Sequence, residues 1–298
     1  MMSPIPPAQN TAIQVCHSTW SGYELLDSGH RQKLERFGDH LLVRSEPKAW
    51  WPPALPKAAW RQAVAIYEDD EQWTFRQPVA REWLLHFDDL VLLAKCTDMS
   101  KHVGVFPEQS VHWQWLRDRG KAAPRRPLHL LNLFGYTGVS SLVAAKAGFA
   151  VTHVDASKPA LAWARRNQEL SGLTQAPIRW ILDDAIKFVK REINRKRRYD
   201  AILLDPPSFG RGPKREVWKI ERHLTELLDL CRQVLSDQPL FVLVTMYAIE
   251  ASSLIIGNLL GDMMQGAHGT MQVGELVLSH TASAKRLPMA IFGRWEQA

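Results

Sequence analysis

The spacing of apolar residues along the chain changes character near residue 120. Before it, short alternating segments such as YELLDSG, QKLERFG, HLLVRSEP, QWTFRQP and VLLAKCT are punctuated by Gly, Pro and Asp, the pattern of antiparallel strands and hairpins. The stretch PKAWWPPALPKAAW reads as an irregular Pro and Trp loop, and VHWQWLRDRGKAAPRRPL as a helix running into a basic linker. From Leu128 onward, continuous apolar runs (LHLLNLF, FAVTHVD, PIRWIL, YDAILLD, LFVLVTMYA) alternate with helical stretches such as SSLVAAKAG, PALAWARRNQEL, AIKFVKREI and ERHLTELLDLCRQVL. That alternation predicts a parallel sheet with helices on both faces. GELVLSHTAS and LPMAIFGRWE predict a closing antiparallel hairpin. The expected division is a flexible tail over 1–15, a β-rich N-terminal domain over 16–120 and an α/β domain over 121–298.

Composition narrows the picture little. With 298 residues, two domains is the natural expectation. No apolar run reaches the roughly 18 residues of a membrane span. The opening MMSPIPPAQN lacks the basic and apolar regions of a signal peptide. Cys16, Cys96 and Cys231 are scattered without a CxxC pair, so neither a disulfide framework nor a metal site is expected, and a reducing cytoplasm fits. A net charge of +6 favours a polyanionic partner. Eight of the twelve tryptophans precede residue 120; most are expected to fill a thin core, with one or two free to stack on RNA bases.

Candidate chemistry lies at the carboxyl ends of the apolar runs, where doubly wound sheets bind ligands. After the first run, LNLFGYTGVSS places Gly135 and Gly138 where a tight turn and close backbone approach are needed, with the Thr137 hydroxyl between them. The spacing is not GxGxxG, which disfavours a dinucleotide. After the second, Asp155 can accept both hydroxyls of a ribose; either Asp155 or Ser157 caps the helix in which Pro159 takes an early position, and with Ser157 as the cap Asp155 is left free for the ribose. After the third come Asp183 and Asp184, one placed to accept from an adenine amino group and the other to start a helix; the sequence does not say which does which.

Together, NLFGYTG, DASKPAL, DDA and DPPSFGRGPK resemble class I S-adenosylmethionine (SAM)-dependent methyltransferases. More narrowly, they resemble the large-subunit ribosomal RNA methyltransferases that make 5-methylcytosine or 7-methylguanine. The resemblance runs from about Lys101 to the C-terminus. It implies an α/β fold with a Rossmann-like seven-stranded mixed sheet and a smaller N-terminal β-rich α+β domain that helps position substrate. It implies SAM as cofactor, bound by Phe134, Gly135, Tyr136, Thr137, Gly138, Asp155, Ala156, Ser157, Asp183, Asp184, Ala185 and Asp205. KHVGVFPEQ looks like that family's TGFFLDQR stretch, which adds Gln109 as a cofactor contact, although no arginine follows it here. The implied partner is ribosomal RNA, with no membrane and no metal.

The segment ILLDPPSFGRG carries the transfer chemistry. Pro206 holds Asp205 extended, and neither proline offers an N–H. The turn is therefore expected to present acceptors, the Asp205 carboxylate and backbone carbonyls, to a base bringing an amino group. Phe209 would stack on that base, and Arg211, Lys214 and Arg215 would hold phosphates. Asp205, Pro206 and Phe209 are the catalytic candidates. Methylating carbon 5 of cytosine would need a thiolate. Met246 and Tyr247 stand where the related cytosine enzymes carry that cysteine, and Cys231 falls on a helical face with Leu224, Leu227, Leu228 and Leu235. Direct transfer to a base nitrogen is the expectation that remains. The alternatives are a nucleotide-dependent oxidoreductase, a non-catalytic RNA-binding protein that retains the cofactor fold, and a methyltransferase acting on a protein or small molecule.

Overall fold

The computed structural model describes residues 13–18, 20–67, 72–98, 100–123, 127–247 and 249–298. In chain order the elements begin with β1 (Ile13–His17), β2 (Tyr23–Gly29), β3 (Gln32–Phe37) and β4 (His40–Ser45). A single helical turn, α1 (Lys57–Trp60), precedes β5 (Ala65–Tyr67), β6 (Trp73–Phe75), β7 (Glu82–Phe87) and β8 (Leu90–Lys95). A 3₁₀ turn (Pro107–Gln109) leads into α2 (Ser110–Ala122). Then follow β9 (Leu128–Leu133), α3 (Val139–Lys146), β10 (Phe149–Asp155), α4 (Lys158–Leu170), β11 (Ile178–Leu182), α5 (Ala185–Asn194) and β12 (Ala201–Leu204). The chain ends with β13 (Phe209–Arg211), β14 (Val217–Lys219), α6 (Ile220–Val234), β15 (Phe241–Tyr247), α7 (Ser253–Met263), β16 (Gly269–Ser279) and β17 (Arg286–Gln297).

The apolar runs form the large sheet, in the order β1-β16-β17-β15-β12-β9-β10-β11. Its five strands from β15 to β11 are parallel, and β16–β17 is the expected antiparallel hairpin. All seven expected strands are present. The eighth, β1, lies parallel to β16 with Ile13 opposite Val273. Residues 13–15, read from sequence as tail, are therefore strand: the unpaired edge of β16 supplies the hydrogen-bonding partners that local pattern does not reveal. Residues 1–12 lie outside the described residues, as do 124–126 of the expected basic linker.

Burial explains why the two halves looked different. Every residue of β12 is buried, as are all but one of β9 and β15, because helices cover both faces. By contrast β7 alternates strictly between exposed and buried. On one face of the large sheet, Leu130, Leu203 and Leu243 pack with Trp113, Leu116 and Leu142, and with Trp20, Phe37, Leu85 and Leu92 from before residue 120. On the other, Leu131, Ile202 and Val244 pack with Phe188, Leu227, Cys231 and Leu260.

The β-rich part consists of a five-stranded sheet, β2-β3-β4-β5-β6, and the β7–β8 hairpin. Side chains from α4 satisfy the free edge of β8: Asn167 Oδ1 accepts from Leu93 N–H (2.8 Å) and the Trp163 indole donates to Leu93 O (2.9 Å). The Pro and Trp stretch is not wholly irregular. Its last four residues make α1, because Pro56 cannot occupy the helix interior but stands well before its first turn. Among the described residues no helix is long and apolar enough to cross a membrane.

Candidate functional site

A cavity of about 380 Å³ opens at the carboxyl ends of β9, β10, β11, β12 and β15. It is built first by the turn after β9. Phe134 (φ 58°), Tyr136 (φ 50°) and Gly138 (φ 83°) all adopt the left-handed conformation, which is unfavourable for the two aromatics and persists only when the surroundings enforce it. Gly135 leaves no room for a side chain, since a Cβ there would run into the His153 imidazole. A Cβ on Gly138 would lie 2.9 Å from that of Ala164 and 3.0 Å from the Trp180 ring. These contacts let the turn lie close against β10 and α4.

Asp155 closes one side of this turn. Its Oδ2 accepts from Tyr136 N–H and its Oδ1 from Ser157 N–H, each at 2.8 Å. Burial pushes its carboxyl above the ordinary range, and these backbone donors pull it back. Ser157 is the helix cap, its Oγ accepting from Ala160 N–H at 3.2 Å, so Asp155 is spared that task. The next acidic pair also divides its labour. Asp184 caps α5 through Lys187 N–H (2.9 Å), whereas Asp183 accepts from Asp184 N–H (2.9 Å) and pairs with Arg191; both line the cavity.

Asp205 lies on the far side of the cavity. Gln109 Nε2 donates to its Oδ2 at 3.1 Å, while Oδ1 is buried with no partner. Desolvation, followed by the negative charge of the buried Glu108, pushes the Asp205 carboxyl up to about 8. The expected row of free carbonyls is shorter than the sequence suggested. The Trp218 indole donates to Pro207 O at 2.7 Å, and Ile220 N–H donates to Ser208 O at 3.0 Å. Trp218 is buried against Phe134 (ring centroids 4.9 Å apart) and fixes the turn.

A strap over residues 100–109 covers the cavity and is anchored at both ends. Arg44 donates to Lys101 O (3.1 Å) and the Trp73 indole to Ser100 O (3.0 Å). Midway along it Thr137 Oγ1 donates to Gly104 O (2.6 Å), and at its far end Gln109 donates to Asp205. Arg44 is itself held by Glu35, whose carboxyl two guanidinium hydrogen bonds at 2.7 and 2.8 Å keep down at about 2 against the cost of burial. The β-rich part thus shapes the cavity through this strap. Phe106 in the strap contacts Tyr136 and Tyr247 (5.6 and 5.7 Å between ring centroids). Beside it, burial and the cations Arg44, Lys101 and Lys33 hold the His102 imidazole down at about 3, and therefore neutral.

Of the residues singled out from sequence, Gln109, Phe134 to Thr137, Asp155 to Ser157, Asp183 to Ala185, Asp205 and Arg211 all line the cavity. Gly138, Pro206, Phe209, Lys214 and Arg215 are not among its lining residues. Gly138 and the buried Pro206 shape the turns behind it. Phe209 is 51% exposed on the β13–β14 hairpin, and Lys214 and Arg215 lie in the loop between those two strands. Sequence reasoning missed Ser100, His102, Gly104, Phe106 and Tyr247. The signal for His102, Gly104 and Phe106 was KHVGVF itself, with Ser100 just before it; Tyr247 was read only as the lack of a cysteine. Cys231 is fully buried in the core, where desolvation raises its thiol far above the usual range.

No family model matches the chain. A SAM-dependent methyltransferase from Agrobacterium tumefaciens, known from its crystal structure, is 45% identical over 96% of this chain and 94% of that one, with a TM-score of 0.91. A putative SAM-dependent methyltransferase from Streptococcus mutans shares the fold at 19% identity, with a TM-score of 0.71 over 92% of this chain and 75% of that one. Among curated proteins, the ribosomal RNA large subunit methyltransferase K/L of Shewanella frigidimarina is 33% identical over 135 residues. That match covers 45% of this chain and 18% of the relative.

Proposed function

The chain belongs to the SAM-dependent methyltransferases, and from that premise we propose that it methylates a base nitrogen in ribosomal RNA by direct transfer. SAM is its cofactor. The residues present suit that group. The turn of Phe134 to Gly138 provides a close backbone cradle, and each Asp155 oxygen keeps a lone pair for a ribose hydroxyl. Asp183 and Ala185 would border the adenine, and Gln109 with the strap would border the methionine end. When bound, SAM supplies a methyl group already activated by its sulfonium charge.

The observation that carries the acceptor reading is the Asp205 Oδ1, buried beside the cavity without a partner. Leaving such an acceptor unpaired is costly, and an amino group on a base would satisfy it. Asp205 would orient that amino group and, where it is ionised, take the proton lost on transfer; burial holds its carboxyl up at about 8, so the ionised fraction grows as pH rises towards that value. Phe209, at the exposed rim, would stack on the extruded base. Arg211, Lys214 and Arg215 on the same hairpin would meet the adjoining phosphates. Thiolate chemistry has no support at this site, since Tyr247 occupies the end of β15 and Cys231 is sealed in the core.

Ribosomal RNA as the acceptor is supported by the names of curated relatives such as those of Shewanella frigidimarina and Cellvibrio japonicus, of each of which the match spans 18%. In this reading the β-rich part positions the RNA, and the reaction takes place in the cytoplasm. The test is transfer of tritium from methyl-labelled SAM to deproteinised ribosomal RNA from a strain lacking the enzyme, followed by nucleoside analysis. Label in an N-methylated base supports the proposal. Label in 5-methylcytosine overturns the mechanism, and SAM binding without any label in RNA overturns the acceptor.

A further inference from the structure

The β2–β3 hairpin closes with a two-residue turn, His30 and Arg31, between the paired residues Gly29 and Gln32. Both turn residues have positive φ, 50° and 63°. A turn of this handedness normally recruits Asn-Gly or another small pair, because larger residues are strained there. The turn instead carries an imidazole and a guanidinium at these strained positions.

What they present is an open concavity of about 310 Å³ lined by His30, Arg31 and Trp50. Trp50 is 80% exposed, the most exposed of the large apolar side chains among the described residues. Its neighbour shows the contrast. The Trp51 indole is turned inward, donating to Ser28 O at 2.9 Å. The backbone carrying Trp50 is held firmly: His30 N–H donates to Trp51 O and Arg31 N–H to Ala49 O, both at 2.8 Å. Gly29 permits this approach, since a Cβ there would collide with the backbone of Trp51 to Pro53. Among the described residues no carboxylate pairs with His30 or Arg31. A rigidly mounted, exposed indole beside an unpaired guanidinium matches an unpaired nucleotide, whose base stacks and whose phosphate accepts.

The topology places this patch at the catalytic end of the sheet. Tyr247, which lines the cavity, is paired with Ala290 at the start of β17. The adjacent Met289 O accepts from Lys48 Nζ (2.9 Å), two residues before Trp50, and Lys285 Nζ donates to Pro52 O (2.8 Å). We infer that Trp50, His30 and Arg31 hold an unpaired nucleotide of the RNA substrate, its base stacked on Trp50 and a phosphate against Arg31. This inference rests on the RNA reading above and extends it to a second contact outside the cavity.

The test compares wild type with Trp50→Ala, Trp50→Phe and Arg31→Ala for binding to deproteinised large-subunit ribosomal RNA, with SAM affinity measured in parallel. Trp50→Ala should weaken RNA binding about tenfold and Trp50→Phe should recover most of the loss. Arg31→Ala should lower the slope of log affinity against log salt by about 0.7–0.9. SAM affinity should not change in any of them. If wild type binds RNA and Trp50→Ala binds it equally, the nucleotide site is overturned while the RNA reading stands. If wild type itself does not bind RNA, both fall. If Trp50→Ala loses binding only to protein-containing ribosomal particles, the patch is a protein contact and the inference is overturned.

Discussion

The two sides of the cavity are built on opposite principles. At the turn after β9, backbone conformation does the work: three left-handed residues, two glycines without room for a side chain, and an Asp155 already anchored by two backbone N–H groups. Across the cavity, at Asp205, the backbone carbonyls are spent on Trp218 and Ile220, and one buried carboxylate oxygen has no partner. The first side is complete without a ligand, whereas the second lacks a donor. Binding a cofactor calls for a fixed shape, while transferring a group calls for unmet electrostatic demand that the reacting molecule relieves.

Breaking the second side should have the largest effect. Asp205→Asn keeps the shape but removes the proton acceptor, so kcat should fall about 10²–10⁴-fold in the methyl-transfer assay, with SAM affinity retained. Its effect on stability should depend on pH. The Asp205 carboxyl holds its proton up to about 8 in the fold but releases it near 3.8 when exposed. Between those values the folded state binds the additional proton, so wild-type stability should decline as pH rises through the window. Denaturant titrations from about pH 5 to about pH 8 should show that decline in wild type and a flatter profile in Asp205→Asn.

Disturbing the first side should act on cofactor binding rather than on the chemical step. Gly138→Ala introduces strain at φ 83° and a contact with Ala164 and Trp180, and should cost about 1–3 kcal/mol, read as a lower Tm and weaker SAM binding by calorimetry. The smallest effect separates the two acids after β11. Asp184→Ala removes a helix cap and should cost about 1 kcal/mol of stability, with SAM affinity changed little. If SAM affinity drops instead while Tm holds, Asp184 rather than Asp183 faces the adenine.

The sequence alone determined the sheet and most of the cavity. Strands buried on both faces must be continuously apolar, so their ends are legible, and the residues at those ends (Gly135, Asp155, Asp183, Asp205) can be read without coordinates. Helix capping by Ser157 was legible for the same reason, as a local interaction. Tertiary structure alone decided what depends on distant partners: that β1 completes an edge of the large sheet, that Asp184 rather than Asp183 caps α5, and that Trp218 takes the Pro207 carbonyl. It also decided that Arg44, held by Glu35 some distance away in sequence, ties the strap over the cavity, and that Trp51 turns inward while Trp50 stays in solvent. Periodicity reports which face of an element is buried. It carries no information about which polar atoms from another part of the chain will meet there, and at this site those meetings decide which groups stay free for a ligand.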